Sequence, residues 1–184
     1  LACGTGYGTN ILSTVSNRTI GVDISEETID IAKKYYTKSN LEFINEDCAN
    51  TSLQNRSADY ITSFETIEHL SDSEAFLDET KRLLKPKGLL IISSPNKSEY
   101  TDKPGNKNVH HVREFYHDEF IKMLESHFKY CLFGKQRLVA GSLIIADTQS
   151  RNSIKAFGTY SGDEAGSNFS PQLDEGLYSI AVCS

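Results

Sequence analysis

Residues 1–9 read LACGTGYGT, and residues 19–24 read TIGVDI, with Ser25, Glu26 and Glu27 directly after. The first stretch is an apolar pair running into three glycines at alternate positions, Gly4, Gly6 and Gly8. The second is a short apolar run that ends near an acid, Asp23, and gives way to a helix-start signal. Ser25 can cap the helix, and the two glutamates fall in its first turn, where the helix dipole favours negative charge. A glycine-rich turn, a buried strand and a capped helix in that order mark an α/β protein. In such proteins ligands bind at the carboxyl ends of the strands.

The alternation continues along the chain. Ile29, Ala32 and Tyr36 give the helix after Ser25 an apolar stripe. Strands are expected at 41–45 (LEFIN), 58–64 (ADYITSF) and 88–94 (GLLIISS). Ser71 and Glu74 read as a capping box, opening a helix that runs toward Leu84 and stops before Pro86 and Gly88. A polar loop covers Pro95 to Val109. Phe120, Met123, Leu124 and His127 mark a further helix, with Tyr116 and His117 at its entry. The runs 129–136 and 178–183 read as the last two strands, and their closeness after a single helix allows an antiparallel partner. The stretch 149–176, rich in Ser, Gly, Asp and Asn, reads as a long surface connection. The expected class is therefore α/β, with a mostly parallel sheet covered on both faces, in one domain over residues 1–184.

Composition narrows the function. The chain is 38% hydrophobic and 24% charged, as a soluble globular domain is, and it has no apolar run of about 18 residues, so no membrane span is expected. With 19 basic against 25 acidic residues the formal net charge is −6, which argues against a nucleic-acid partner held through phosphates. The four cysteines form no CxxC pair, and Cys131 and Cys183 fall in strand-like runs as buried thiols. A reducing, cytoplasmic setting fits. Leu1 reads as the middle of a strand, so part of the amino-terminal region is expected to precede it.

The glycines discriminate between cofactors. A nucleoside-triphosphate loop needs GxxxxGK followed by Ser or Thr, and the lysine is lacking. A dinucleotide fingerprint needs Gly or Ala where Thr9 stands. What remains is a bare backbone suited to close approach by a ligand without phosphate.

The stretch Leu1-Ala2-Cys3-Gly4-Thr5-Gly6, Asp23, the pair Asp47-Cys48, Phe64 and LLKPKGLLIISSPN together resemble the class I S-adenosylmethionine-dependent methyltransferases over nearly the whole chain. The resemblance implies a Rossmann-like, doubly wound, seven-stranded sheet whose last strand is antiparallel. It implies cofactor contacts from Ala2, Cys3, Gly4, Gly6, Asp23, Ile24, Asp47, Cys48 and Phe64. Asp23 would take the ribose hydroxyls, Asp47-Cys48 the adenine, and Phe64 would lie beside the methionine part.

After the third strand come Glu65, Glu68 and His69, an E-x-x-E-H run. On a helical turn this spacing puts all three on one face. NVHHVREF, residues 108–115, falls in a loop expected to rim the same pocket. The run 63–88, with HVREF, LFGKQ and YSIAVCS, resembles methyltransferases encoded among surface-polysaccharide glycosyltransferases. The E-x-x-E-H with a later histidine is similar to the magnesium set of RNA 3′-terminal 2′-O-methyltransferases and of ubiquinone-pathway O-methyltransferases. Carried onto this chain, the implied Mg2+ ligands are Glu65, Glu68, His69 and His111, or His110 in place of His111. Without metal, His69 or His111 is the candidate general base, and a purely bracing role for Glu68 and His69 stays open. Arg113 and Glu114 are expected to pair or to fix the loop, and Tyr100 to wall the pocket. The expected reaction is O-methylation of a small hydroxylated metabolite, sugar or glycan intermediate. The alternatives are an RNA-terminal methyltransferase and an inactive cofactor-binding scaffold. Neither the acceptor nor the oligomeric state can be read from the residues.

Overall fold

The computed structural model of the chain describes residues 1–105, 107–137, 159–163, 166–170 and 176–184. The elements are α1 (Tyr7–Leu12), β1 (Thr19–Asp23), α2 (Glu26–Tyr35), β2 (Leu41–Asn45), β3 (Ala58–Phe64), α3 (Ser73–Leu83), β4 (Leu84–Pro95), α4 (His117–His127), β5 (Cys131–Gln136), β6 (Thr159–Asp163), β7 (Gly166–Ser170) and β8 (Tyr178–Cys183). A 3-10 turn at Ile67–His69 and a π turn at Ser98–Asp102 complete them.

β1 pairs parallel with β2, and β3 pairs parallel with β4. β8 inserts antiparallel between β4 and β5, giving the order β3-β4-β8-β5. The last strand is thus antiparallel, as expected. Among the described residues the strands fall into this four-stranded sheet, the β1-β2 pair and a separate β6-β7 hairpin, rather than one seven-stranded sheet. Residues 1–3 bridge the first two groups. Cys3 N donates to Val22 O of β1 at 2.9 Å, and the Leu1 nitrogen donates to Thr62 O of β3 at 2.7 Å. Three residues are too short to register as a strand of their own.

Two apolar clusters hold these layers. Phe76, Leu77 and Leu83 of α3 and Phe120 and Leu124 of α4 bury against Ile61, Leu90, Ile92 and Ala181 of the sheet. Ile29 and Ala32 of α2 close over Phe43 of β2, with Tyr36 packed at the rim. Burying each such Leu, Ile or Phe contributes roughly 1.5–3 kcal/mol.

Several local expectations hold and some move. Ser25 caps α2, its Oγ accepting from Thr28 N. The cap of α3 is Asp72 rather than Ser71, because Asp72 Oδ1 accepts from Ala75 N at 2.9 Å and so replaces the anticipated capping box. β4 starts at Leu84, earlier than the glycine at 88 suggested, since Leu84 already pairs with Ala58; the ladder is then interrupted by a bulge, with Lys87 at φ +70°, and resumes at Tyr60 and Leu89. The polar loop after β4 contains the π turn. α4 opens as expected, with Glu119 accepting from Tyr116 N. The long connection at 149–176 lies mostly outside the described residues. Within it the antiparallel β6-β7 hairpin stands where an irregular loop was expected. Cys183 is fully buried and faces half-buried Cys131 across the β5-β8 ladder.

Candidate active site

The glycine turn is anchored by the acid at the tip of β1. Asp23 Oδ2 accepts from Gly4 N at 2.7 Å, and Oδ1 accepts from Ser25 N at 3.0 Å. A carboxylate has about four acceptor positions, so each oxygen keeps capacity for a hydroxyl donor. Gly4 and Gly6 sit at φ +52° and +84°, the left-handed region that glycine enters without penalty. Their surroundings differ. A Cβ on Gly4 would meet nothing within 4 Å, so that backbone faces open space. A Cβ on Gly6 would lie 2.7 Å from the Phe43 ring and 2.9 Å from Ala32 Cβ. Gly6 is therefore required by packing as well as by φ. Gly8 lies inside α1 with open space around it and has no such role. Ala2 also has a positive φ, +52°, strain that the bridging hydrogen bonds hold in place.

Around this turn the other expected cofactor residues are arranged unevenly. Ile24 and Phe64, directly after β1 and at the end of β3, are exposed apolar side chains at 73% and 53%. Cys3 is half-buried, its Sγ against Gly21. Cys48 is buried, and desolvation pushes its thiol up to about 11, so it is an inert packing group. Asp47 is exposed and forms a turn, its Oδ1 accepting from Ala49 N at 2.9 Å. Glu79 and Arg82 of α3 clamp the loop that follows. Glu79 Oε1 accepts from Thr51 N and Oγ1, while Arg82 donates to Leu53 O, Thr51 O and the Asn55 side chain.

The E-x-x-E-H residues do not share one helical face. Glu65 takes φ +53° and stands outside the 3-10 turn, its Oε1 accepting from Ser93 Oγ of β4 at 2.6 Å. Burial pushes its carboxyl above the usual range, against the pull of Ser93, His111 and His69. Glu68 is fully buried, and among the described residues neither carboxylate oxygen has a hydrogen-bond partner. Desolvation, reinforced by Glu65 and Glu114, pushes it up to about 8. His69 Nε2 stands 3.8 Å from Glu68 Oε1, and its Nδ1 bonds His110 O at 2.9 Å.

The second histidine arrives from the loop before α4. Val112 N and Arg113 N both donate to Glu68 O, at 2.9 and 3.1 Å, and pin that loop to the 3-10 turn. This brings the His111 ring within 4.9 Å of the His69 ring, edge to face. Nitrogen or oxygen atoms of Glu68, His69 and His111 lie within 4.8 Å of one another. Glu65 is drawn off to Ser93, and His110 contributes only its carbonyl, so His111 is the histidine brought in. Among the described residues Arg113 and Glu114 do not pair with each other, and Glu114 takes the other expected role, fixing the loop. The Arg113 guanidinium stacks 4.8 Å over Phe115, and Glu114 turns inward to His111 Nδ1 at 2.5 Å and Thr101 Oγ1 at 2.8 Å. Tyr100 does wall the site, its ring 5.4 Å from His111 and 6.1 Å from Tyr178. Sequence reasoning missed Ser93 and Tyr178, and it named Glu114 without its bond to His111. Glu114, three residues after His111, carried a faint spacing signal, whereas Ser93 and Tyr178 reach the site only through strand register.

The strand tips thus join a phosphate-free glycine turn, a carboxylate with spare acceptor capacity and a buried acid-imidazole group. The methyltransferase domain family matches residues 1–92, half of the chain. The chain belongs to that family. Its relatives include a protein of Mycolicibacterium smegmatis named as a probable S-adenosylmethionine-dependent methyltransferase, 34% identical over 127 residues, covering 67% of this chain and 48% of that one. A ubiquinone biosynthesis O-methyltransferase of Bartonella tribocorum is 28% identical over 100 residues, covering 53% of this chain and 40% of the relative. The chain spans about half the length of the curated relatives it matches. A crystal structure of a SAM-dependent methyltransferase from Thermotoga maritima superposes with a TM-score of 0.67 at 19% identity, covering all of this chain and 79% of that one, which supports the Rossmann-like α/β fold. In this methyltransferase domain, no helix among the described residues is long and apolar enough to cross a membrane.

Proposed function

We propose that this chain transfers a methyl group from S-adenosylmethionine to a hydroxyl oxygen of a small acceptor, a sugar, glycan intermediate or comparable metabolite. The observation that carries the choice of oxygen chemistry is Glu68: a buried carboxylate without a partner, beside two imidazoles, at the tip of β3. An orphaned buried acid costs several kcal/mol unless something compensates it. The similarity to ubiquinone biosynthesis O-methyltransferases, 26–29% identical, points the same way.

Ala2, Cys3, Gly4 and Gly6 would give the cofactor a bare backbone, Asp23 would accept from its ribose hydroxyls, and Ile24, Asp47, Cys48 and Phe64 would border its base and methionine ends. The bound cofactor supplies an activated methyl on a sulfonium. The protein's part is then mainly to align the acceptor oxygen, exclude water and take a proton. His69 and His111 are the groups placed to take it. Leu1–Cys3 would complete one seven-stranded sheet, in the order β2-β1-(1–3)-β3-β4-β8-β5.

A divalent cation fits three of the four expected ligands. Glu68, His69 and His111 offer a carboxylate and two imidazoles, with the orphaned Glu68 as the anchor, whereas the Glu65 carboxyl is engaged by Ser93. Such a donor set suits Mn2+ or Zn2+ better than Mg2+, which prefers oxygen alone. When bound, the cation would supply Lewis acidity at the acceptor oxygen.

Methyl transfer from labelled S-adenosylmethionine to a panel of hydroxylated acceptors, with and without chelator, tests the reading. Transfer to an oxygen acceptor that is lost in H69A and H111A supports it. Cofactor binding without transfer to any acceptor favours an inactive scaffold.

A further inference from the structure

His111 is held from both sides by groups of fixed hydrogen-bonding sense. Its side chain is 5% exposed, and that of Glu114 is 7% exposed. On one side Glu114 Oε1 stands 2.5 Å from Nδ1, and the same oxygen accepts from Thr101 Oγ1 at 2.8 Å. On the other side Asn108 Nδ2 stands 2.9 Å from Nε2. The orientation of the Asn108 amide is fixed independently, because its Oδ1 accepts from His110 N at 3.0 Å. The amide nitrogen is therefore the atom that faces the imidazole, and it can only donate. An ionised carboxylate can only accept. One arrangement of the ring satisfies both neighbours: the proton on Nδ1 and the lone pair on Nε2.

Resting on the placement of His111 in the acceptor site, the geometry points to Glu114 as the positioning residue of this methyltransferase. It locks His111 in the Nδ1–H tautomer, so that Nε2 is the nitrogen offered to an acceptor hydroxyl or a cation. Asn108 occupies that lone pair until the ligand arrives. Its N–H is a donor, as a hydroxyl is, so an acceptor O–H replaces it bond for bond. A cation would likewise displace it and find the imidazole already oriented by its outer carboxylate, the arrangement that strengthens histidine as a ligand. The proposed role of Glu114 is exerted through His111, while its bond from Thr101 holds the carboxylate in place. The bonds from Val112 N and Arg113 N to Glu68 O keep this unit in register with Glu68.

The test is two-bond 1H–15N correlation NMR of the histidines in the full-length, cation-free protein, with His111 assigned by the signal lost in H111Q. The wild type is expected to show Nδ1–H at His111. The double variant Glu114→Ala/Asn108→Ala, which removes both neighbours that fix the ring, should populate Nε2–H, whereas Glu114→Ala alone leaves the Asn108 donor on Nε2. Glu114→Gln, which keeps a carbonyl acceptor, should retain most of the Nδ1–H form, and Asn108→Ala all of it. S-adenosylhomocysteine affinity, measured alongside, should be unchanged in each variant and shows that the fold is kept. Zn2+ affinity should fall about 10- to 100-fold in Glu114→Ala and not fall in Asn108→Ala. An Nε2–H tautomer in the wild type overturns the proposal, whatever the variants do. So does a tautomer in a folded Glu114→Ala/Asn108→Ala that is no different from that of Asn108→Ala. A wild type that binds no Zn2+ removes the cation from the preceding reading, and the tautomer result still decides the role of Glu114. Unimpaired methyl transfer by H111A would instead remove His111 from the acceptor site.

Discussion

At Asp23 one side chain does two jobs that would otherwise compete. Its two oxygens hold the glycine turn and the start of α2 through backbone N–H groups, and each keeps capacity for one more donor, the place proposed for a ribose hydroxyl. Hydrogen bonds to a charged group contribute roughly 1.5–3 kcal/mol each. Asp23→Ala is therefore expected to weaken S-adenosylhomocysteine binding at least about tenfold while lowering the melting temperature, whereas a bystander aspartate would change neither. Gly6→Ala would place a methyl in the Phe43 ring at a left-handed φ, and a destabilisation of roughly 2–5 kcal/mol is expected by denaturant titration. Glu68 tests the opposite balance. Its carboxylate is buried without a partner, so Glu68→Leu should raise the melting temperature of the cation-free protein at pH 8 and abolish methyl transfer. The glycines and Asp23 were legible in the sequence because their chemistry is local: positive φ and a strand-end acid leave marks at fixed spacings. The company of Glu68 was not legible, because the groups around it come from 3-10, loop and strand segments joined only by tertiary packing.

Among the elements, α3 has a role beyond covering the sheet. Its last turn carries Glu79 and Arg82, which together tie down Thr51, Leu53 and Asn55, the loop that follows the expected adenine contact Asp47-Cys48. The Arg82 guanidinium, first of all, and then Thr51 hold the Glu79 carboxyl down at about 2. A depressed carboxylate contributes stability that is present above its unfolded pKa, near 4.5, and is lost as pH falls toward about 2. For a shift of this size the contribution is about 3 kcal/mol. The wild type should thus lose stability between pH 4.5 and 2 more steeply than Glu79→Gln, as followed by urea midpoints. Arg82→Ala should both lower the melting temperature and weaken cofactor binding, because the loop it fastens follows the proposed adenine contact at Asp47-Cys48. The starts of α2 and α4 were readable in the sequence and that of α3 to within one residue, whereas α1 was not read. The cap of α3 moved from Ser71 to Asp72 because both residue types can cap, and the choice falls to the geometry of the chain leaving the 3-10 turn. The E-x-x-E-H spacing was misleading for a similar reason. A left-handed Glu65 breaks the helical register on which a shared face depends.

Across the whole molecule, parallel pairs on one side and an antiparallel β8 wedged between β4 and β5 bring five chain segments to one edge: the glycine turn, the tips of β1 and β3, the loop before α4 and Tyr178 at the start of β8. The alternation of strand and helix was plain in the sequence. A strand through Leu1 was read as well; that residues 1–3 lie between β1 and β3 shows only in the hydrogen bonds on each side, which have no sequence signature. Two surface hollows, of about 540 and 340 Å3, lie away from this edge, one near Arg18 and Asn40 and the other near Lys85 and His127. We place ligand binding on the strand tips and not in either of these hollows. Isothermal titration of the full-length protein with S-adenosylhomocysteine tests that placement most directly. Saturable one-to-one binding that weakens in Asp23→Ala and is indifferent to substitution of Arg18 is the predicted result. No saturable binding by the full-length protein, or binding that survives Asp23→Ala and fails in Arg18→Ala, would contradict it.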